Sequence, residues 1–338
     1  MDIRDLHLEK EKVLFVVRTP FQVLCAVSAI KNLHLSFYSI VALLAPDEPR
    51  NSQTLNALDF FNETYKVEYI GKWKRRLLNL AVFFPFLSKY KYIFLGYFND
   101  YNLRQYGLCH ASNGGTLFYL DDGLASISLL QGKLWSILTK SQISRLNLAA
   151  KIRHVDHSRC LYTIYTGLPN KKYRIYENSL SCLKNASTKS QPRSGVYFVG
   201  TNTSLYCERQ KISFEKMQAF MDTFFNEIKQ KYPGESIFYL KHGRDKSQFL
   251  PQLCQEHNVE LILPEICSEL HLLSAGTSPV MVCGFTSTVL FNVKQIFPDS
   301  EVVNLLMNSQ QPETDYERLK EASKYYSEHG VILDERII

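Results

Sequence analysis

No apolar run in this chain of 338 residues reaches the roughly 18 needed to cross a bilayer, so no membrane-spanning helix is predicted. None of the eight cysteines has a CxxC partner, and no His/Cys group has zinc spacing. Scattered single cysteines of this kind suit a reducing cytosol, where they pack as small buried hydrophobes. The first strand is not followed by GxGxxG, and GxxxxGK[ST] is absent, which excludes the dinucleotide fingerprint and the P-loop. DxD, the usual carboxylate pair for a metal-bound nucleotide sugar, is missing as well. There is no helix-turn-helix, zinc-finger or RNA-binding aromatic signature, so nucleic acid is not an expected partner. The charged opening "MDIRDLHLEKEK" lacks the apolar core of a secretory signal. The expectation is a cytoplasmic protein.

What is present is a folded globular composition, with 45% hydrophobic and 21% charged residues. The length suits two domains of about 150 residues each. "KVLFVVR" at 12–18, "YSIVALLA" at 38–45, "KVEYIG", "YKYIFLGYF" and "TLFYL" read as strands, the last closing a series. Helical patterns, such as 23–32 and "NSQTLNALDFFNE", fall between them. Strands apolar on both faces, alternating with helices, argue a parallel sheet covered on two sides. The polar stretch "SCLKNASTKSQPRS", 181–194, is the best linker. After it the pattern restarts with "GVYFVG", the long amphipathic helix "FEKMQAFMDTFFNEIKQKY", "SIFYLK", "VELIL", "PVMVCG" and "STVLFNVKQIF". The prediction is an α/β protein of two Rossmann-like domains, 1–185 and 186–338, whose parallel sheets face a central cleft. The final helix, "ETDYERLKEASKYYSEHG", is free to cross back onto the first domain.

Charge is unevenly placed. The net charge is +6, and between Lys66 and Arg159 there are 14 Lys or Arg against 5 Asp or Glu. Such a surplus attracts an anionic acceptor or an anionic membrane surface. Within it, "KWKRRLLNLAVFFPFL" at 72–87 joins a cationic cluster to an apolar run. That combination is either a helix lying on an anionic leaflet or a buried helix with a solvated basic start.

Open α/β sheets bind ligands beyond the carboxyl ends of their strands, which singles out a few loops. Asp121, Asp122 and Gly123 end the strand "TLFYL"; they form either a plain Asp-Gly turn or a site carboxylate with a glycine that turns the chain. Lys241, His242 and Gly243 end "SIFYLK". A histidine there, among cations, is either structural or an acid for a leaving phosphate oxygen. Gly284, Thr286, Ser287 and Thr288 join a strand to a helix. One of the hydroxyls caps that helix, and its first N–H groups can also hold a phosphate. Gly200 ends "GVYFVG" at the same edge. Glu265 ends a further strand and is placed to read ribose hydroxyls; Glu269 either shares that task or lies on an exposed helix face. Together these are parts of a group-transfer enzyme with a nucleotide donor and no metal.

At these residues the chain resembles the bacterial sialyltransferases of GT-B fold, most closely glycosyltransferase family 52, the lipooligosaccharide sialyltransferase group. An acidic-acidic-glycine motif, a histidine-proline motif and a Ser-Ser or Ser-Thr motif mark those families in that order. They match Asp121-Asp122-Gly123, His242-Gly243 and Ser287-Thr288, with Gly243 standing where proline is usual. The opening "RTPFQVLCAVSAI" is also similar to the start of the family, so the resemblance spans most of the chain. It implies an inverting, metal-independent transfer of sialic acid from CMP-sialic acid to a sugar hydroxyl. The acceptor implied is terminal galactose of a surface glycan such as lipooligosaccharide or capsule, reached from the inner face of the cytoplasmic membrane. By position, Asp122 is the general base ahead of Asp121. His242 serves the departing phosphate, Ser287 and Thr288 hold it, and Glu265 reads the ribose. Another CMP-nonulosonic acid, another nucleotide sugar, or a non-catalytic scaffold for glycan assembly are the alternative readings.

Overall fold

The computed structural model describes residues 3–46, 48, 51–83, 89–132, 138–168, 172–186, 194–276, 278–308 and 314–337. The chain divides into two compact units, Met1–Cys182 and Leu183–Ile338. Of the predicted linker, Leu180–Ala186 forms a 3-10 helix, and 187–193 lie outside the described residues.

In the first unit, β1 (Val13–Val17) is buried along its whole length. It lies between β2 (Tyr38–Leu44) and β4 (Tyr90–Leu95), both parallel to it. With β3 (Tyr65–Tyr69), β5 (Ala111–Tyr119), β6 (Asp156–Thr163) and β7 (Arg174–Glu177) they form a parallel sheet of order β3-β2-β1-β4-β5-β6-β7. The strand series therefore does not close at "TLFYL". β6 opens with the polar run Asp-His-Ser-Arg and β7 is a four-residue edge strand, so neither has the apolar pattern that betrays a buried strand. The first helix starts earlier than its apolar period implied. It is α1 (Pro20–Asn32), with Thr19 as N-cap and Pro20 in the first turn. α2 (Asn51–Phe60) packs on α1, while α3 (Lys72–Ala81), α4 (Tyr101–His110) and α6 (Lys140–Ile152) form a second group, α4 touching both others. Right-handed crossovers explain the two groups, because connections running in opposite directions along a sheet must lie on opposite faces. The short α5 (Leu124–Leu130) follows β5. Of the basic-apolar stretch 72–87, residues 84–87 lie outside the described residues.

Phe15, Phe94 and Phe118 occupy one rung of β1, β4 and β5. Their rings stack at 4.8 and 4.7 Å between centroids, pairs worth about 0.5–1.5 kcal/mol beyond their burial. This stack lies just below the strand ends that carry the site residues.

The second unit repeats the plan. Its elements are β8 (Val196–Val199), α7 (Thr203–Gln210), α8 (Phe214–Lys231), β9 (Ile237–Leu240), α9 (Phe249–Glu256), β10 (Glu260–Ile262), α10 (Ser268–Ser274), β11 (Met281–Phe285), α11 (Thr288–Ile296), β12 (Glu301–Asn308), α12 (Thr314–Glu328) and β13 (Ile332–Ile337). The sheet order is β10-β9-β8-β11-β12-β13, and every pairing is parallel. The helix expected near the C-terminus, α12, packs on β12, β13 and α7 of its own unit.

Candidate active site

In the first unit the carboxyl edge of the sheet is built from the ends of β1, β4 and β5. Gly96 N–H donates to Val16 at 2.9 Å and Leu120 N–H to Leu95 at 2.8 Å, so the ladder runs on to the last rung. Beyond it Gly123 has φ 68 and ψ −139, a region that side chains with a Cβ avoid. This glycine is therefore required for the sharp turn from β5 into α5, and the two aspartates before it are thrown to opposite sides.

Asp121 points inward and is 1% exposed. The Thr163 hydroxyl donates to its Oδ1 at 2.6 Å and the Ile164 N–H to its Oδ2 at 2.8 Å. Burial lifts its pKa to about 6, although these hydrogen bonds oppose the rise. With both oxygens engaged on β6 and the loop after it, Asp121 ties β5 to β6. Asp122 is half-buried. Its N–H donates to Ser126 Oγ at 3.0 Å, and its Oδ1 accepts from Gln22 Nε2 at 2.9 Å.

Gln22 belongs to the first turn of α1 and is 2% exposed. Its Oε1 accepts from Arg18 N–H at 2.9 Å while its amide nitrogen reaches Asp122. The side chain lies directly over Gly96, where a Cβ would come within 2.0 Å of Gln22 Oε1. Gln22 thus clamps the carboxylate with a neutral donor, which cannot take its proton. Beside it, Tyr97 keeps its phenol protonated well past the usual range, through burial first and the Asp122 charge second. Asp100 caps α4 and pairs with Arg18, which gives that carboxylate its own counter-ion. Gln22, Tyr97, Arg18 and Asp100 did not stand out in the sequence. The available signal was that "RTPFQ" and "GYFND" both follow strands ending at this edge.

In the second unit, β8 lies between β9 and β11. The loops after these three strands are therefore neighbours, and those after β9 and β11 are about 10 Å apart at the usual strand spacing. Gly200, after β8, donates its N–H to Leu240 at 2.9 Å. Gly284, within β11, passes so close to β8 that a Cβ would lie 2.6 Å from Val199 O. Lys241 continues the ladder by donating its N–H to Ile262 at 2.9 Å. His242 then opens a turn in which Asp245 N–H donates to the His242 carbonyl at 2.8 Å. Arg244 N–H donates to His242 Nδ1 at 3.2 Å, so the neutral imidazole carries its proton on Nε2. The turn is anchored by buried Asp245, which accepts from Thr203 Oγ1 at 3.1 Å, Ser247 N–H at 3.1 Å and Ser247 Oγ at 2.9 Å. Gly243 is exposed.

Of the three hydroxyls after β11, Ser287 is the cap of α11, accepting from Val289 N–H at 3.3 Å. Thr286 Oγ1 lies 3.2 Å from Ser323 Oγ on α12, and Ser323 in turn accepts from Asn304 Nδ2 at 2.7 Å. Thr288 is half-buried in the first turn of α11. A nine-residue helix with such a start offers N–H groups and the positive end of its dipole to an anion. Glu265, beyond β10, is exposed. Glu269 is not on an exposed helix face. It is 3% exposed, accepts from Asn292 Nδ2 at 2.8 Å, and burial raises its pKa, so it joins α10 to α11.

Comparison with solved structures places the chain in the GT-B class of two-unit α/β folds. An α/β-galactoside α-2,3-sialyltransferase from Photobacterium phosphoreum matches with a TM-score of 0.52 at 13% identity, covering 95% of this chain and 98% of that one. A UDP-N-acetylglucosamine 2-epimerase gives 0.53 at 10% identity over 93% of this chain and 82% of that one. MnaA of S. aureus, solved with UDP, gives 0.51 at 10% identity over 96% and 91%. No family model matches the chain, and no curated protein matches it significantly.

Proposed function

We propose that the protein is an inverting glycosyltransferase of the kind represented by family 52, moving sialic acid from CMP-sialic acid to a sugar hydroxyl without a metal. Asp122 takes the proton of the acceptor hydroxyl as that oxygen attacks the anomeric carbon. The bond from that carbon to the CMP phosphate oxygen breaks with inversion, and the Nε2–H of His242 hydrogen-bonds the departing phosphate, which leaves as its anion. Ser287, Thr288 and the first N–H groups of α11 hold the phosphate, with Lys241 adding positive charge and Gly200 and Gly284 allowing close approach. Glu265 reads the ribose. Oxocarbenium character in the transition state is expected for such chemistry. The proton transfer to Asp122 contributes about 10²- to 10⁴-fold to rate, and fixed donors on the leaving phosphate, the His242 Nε2–H among them, stabilise the charge developing there.

The observation that carries this reading is the division of labour between the adjacent aspartates. Asp121 has both oxygens committed within the fold, whereas Asp122 is half-buried at the strand end, held by a neutral amide. A carboxylate clamped in this way is suited to accept a proton from an incoming hydroxyl. The motifs, together with the GT-B fold, support the donor class. A scaffold without catalysis would have no need of the Gln22 clamp. The test is a transfer assay with CMP-N-acetylneuraminic acid and a galactose-terminated acceptor in the presence of chelator. Sialylated product is expected. No product and no CMP binding would overturn the reading, while CMP binding without product would move the donor to another nonulosonic acid.

A further inference from the structure

The outer surface of α3 has an arrangement that the proposed chemistry does not use. Trp73, Leu77 and Leu80 are 77%, 63% and 61% exposed. Their spacing of four and three residues puts them on one stripe of the helix. Leu78, on another side of α3, is 5% exposed, so the helix is anchored there and its apolar stripe faces water. Lys72 and Arg76 flank the stripe on one side and Arg75 lies on the far side of the helix, all three exposed. Among the described residues none of the three forms an ion pair, and the Arg76 guanidinium lies 5.5 Å from the Trp73 ring centroid. The helix contains no acid. Glu68, just before it, is already neutralised by Lys66 at 2.7 Å and by Lys74, and its pKa is lowered to about 2.

The surface continues onto α6. Arg145 Nη2 on α6 donates to the Asn79 carbonyl on α3 at 2.5 Å, which joins the two helices. On the same flank of α6 as Arg145, Leu148 and Ile152 are each 53% exposed, with exposed Lys151 between them.

We propose that this face docks the protein flat on an anionic lipid leaflet. An interfacial helix needs an apolar stripe that enters the acyl boundary and cations beside it for the headgroups. The aromatic member, Trp73, is the side chain best suited to that boundary. Charge complementarity selects this occupant over a second copy of the chain, since a two-fold contact would set Lys72 and Arg76 against their own counterparts. It also selects it over nucleic acid, because the centre of the face is apolar and the cations lie to the side.

Vesicle flotation tests the proposal and requires no enzymatic activity, so its outcome is independent of the transferase reading. The full chain is mixed at low salt with vesicles of phosphatidylcholine alone or of phosphatidylcholine with phosphatidylglycerol. Binding is expected only to the anionic vesicles, falling as salt is raised. K72Q and R76Q should each lower the partition coefficient about fivefold. W73S with L77S should abolish binding at unchanged melting temperature. W73F should keep binding but remove the vesicle-induced blue shift of tryptophan emission, which assigns the insertion to α3. Equal binding by wild type and the charge variants, or no flotation of wild type, would overturn the proposal. So would concentration-dependent dimerisation that is lost in W73S/L77S while vesicles are ignored.

Discussion

Gln22 Nε2 donates to Asp122 Oδ1 at 2.9 Å, a contact between residues 100 positions apart. The same side chain accepts from the Arg18 N–H, so the carboxylate at the end of β5 is referenced to the backbone leaving β1. Hydrogen bonds to a charged group are worth about 1.5–3 kcal/mol. Q22A should therefore lower kcat by about 10- to 100-fold, with little change in KM for the nucleotide donor. G96A should do the same from the opposite side, because its Cβ would take the space of Gln22 Oε1, 2.0 Å away. Steady-state kinetics with both substrates varied checks this. If both variants raise donor KM and spare kcat, Gln22 is not a positioning residue for Asp122.

Asp121 makes a separate prediction about stability. Its pKa is about 6 in the fold against 3.8 for the free group, mainly because of burial. Between those values the native state keeps a proton that the unfolded chain has released, so stability falls as pH rises from about 4 to 6 and is level above that. The loss amounts to about 3 kcal/mol at most. D121N cannot ionise, so its melting temperature should lack this fall across that window and should equal or exceed that of wild type at pH 7. Melting curves at pH 4, 5, 6 and 7 decide it. A wild-type melting temperature that rises from pH 4 to 6, with the rise absent in D121N, would reverse the assignment.

His242 is expected to act through the proton on Nε2. H242Q keeps an N–H donor and H242A does not. Turnover should fall by about 10²- to 10⁴-fold in H242A, with partial recovery in H242Q. D245A removes the anchor of the turn, which holds three hydrogen bonds. It should lower both melting temperature and kcat. Equal activity of H242A and wild type would remove His242 from the chemistry.

Much of this architecture is legible in the residues themselves, for physical reasons that also mark its limits. β1 and β8 are continuous apolar runs because both faces are covered, and periodicity finds such strands. β6, β7 and β13 carry charges in their pattern and become strands through pairing with a neighbour, a tertiary effect. Gly123 could be read as a turn because its backbone conformation demands it. The separate tasks of Asp121 and Asp122 could not, since Thr163 and Gln22, which divide them, come from a strand and a helix distant in sequence. The same holds for Glu269, whose partner Asn292 lies on the next helix.

The measurement that bears most directly on the account is the kinetics of D122N beside D121N, with CMP affinity measured on both by calorimetry. D122N should lose about 10²- to 10⁴-fold in turnover and bind CMP as wild type does, whereas D121N should retain most of its activity. Full turnover by D122N, or collapse of D121N alone, would contradict the assignment of Asp122 as the base.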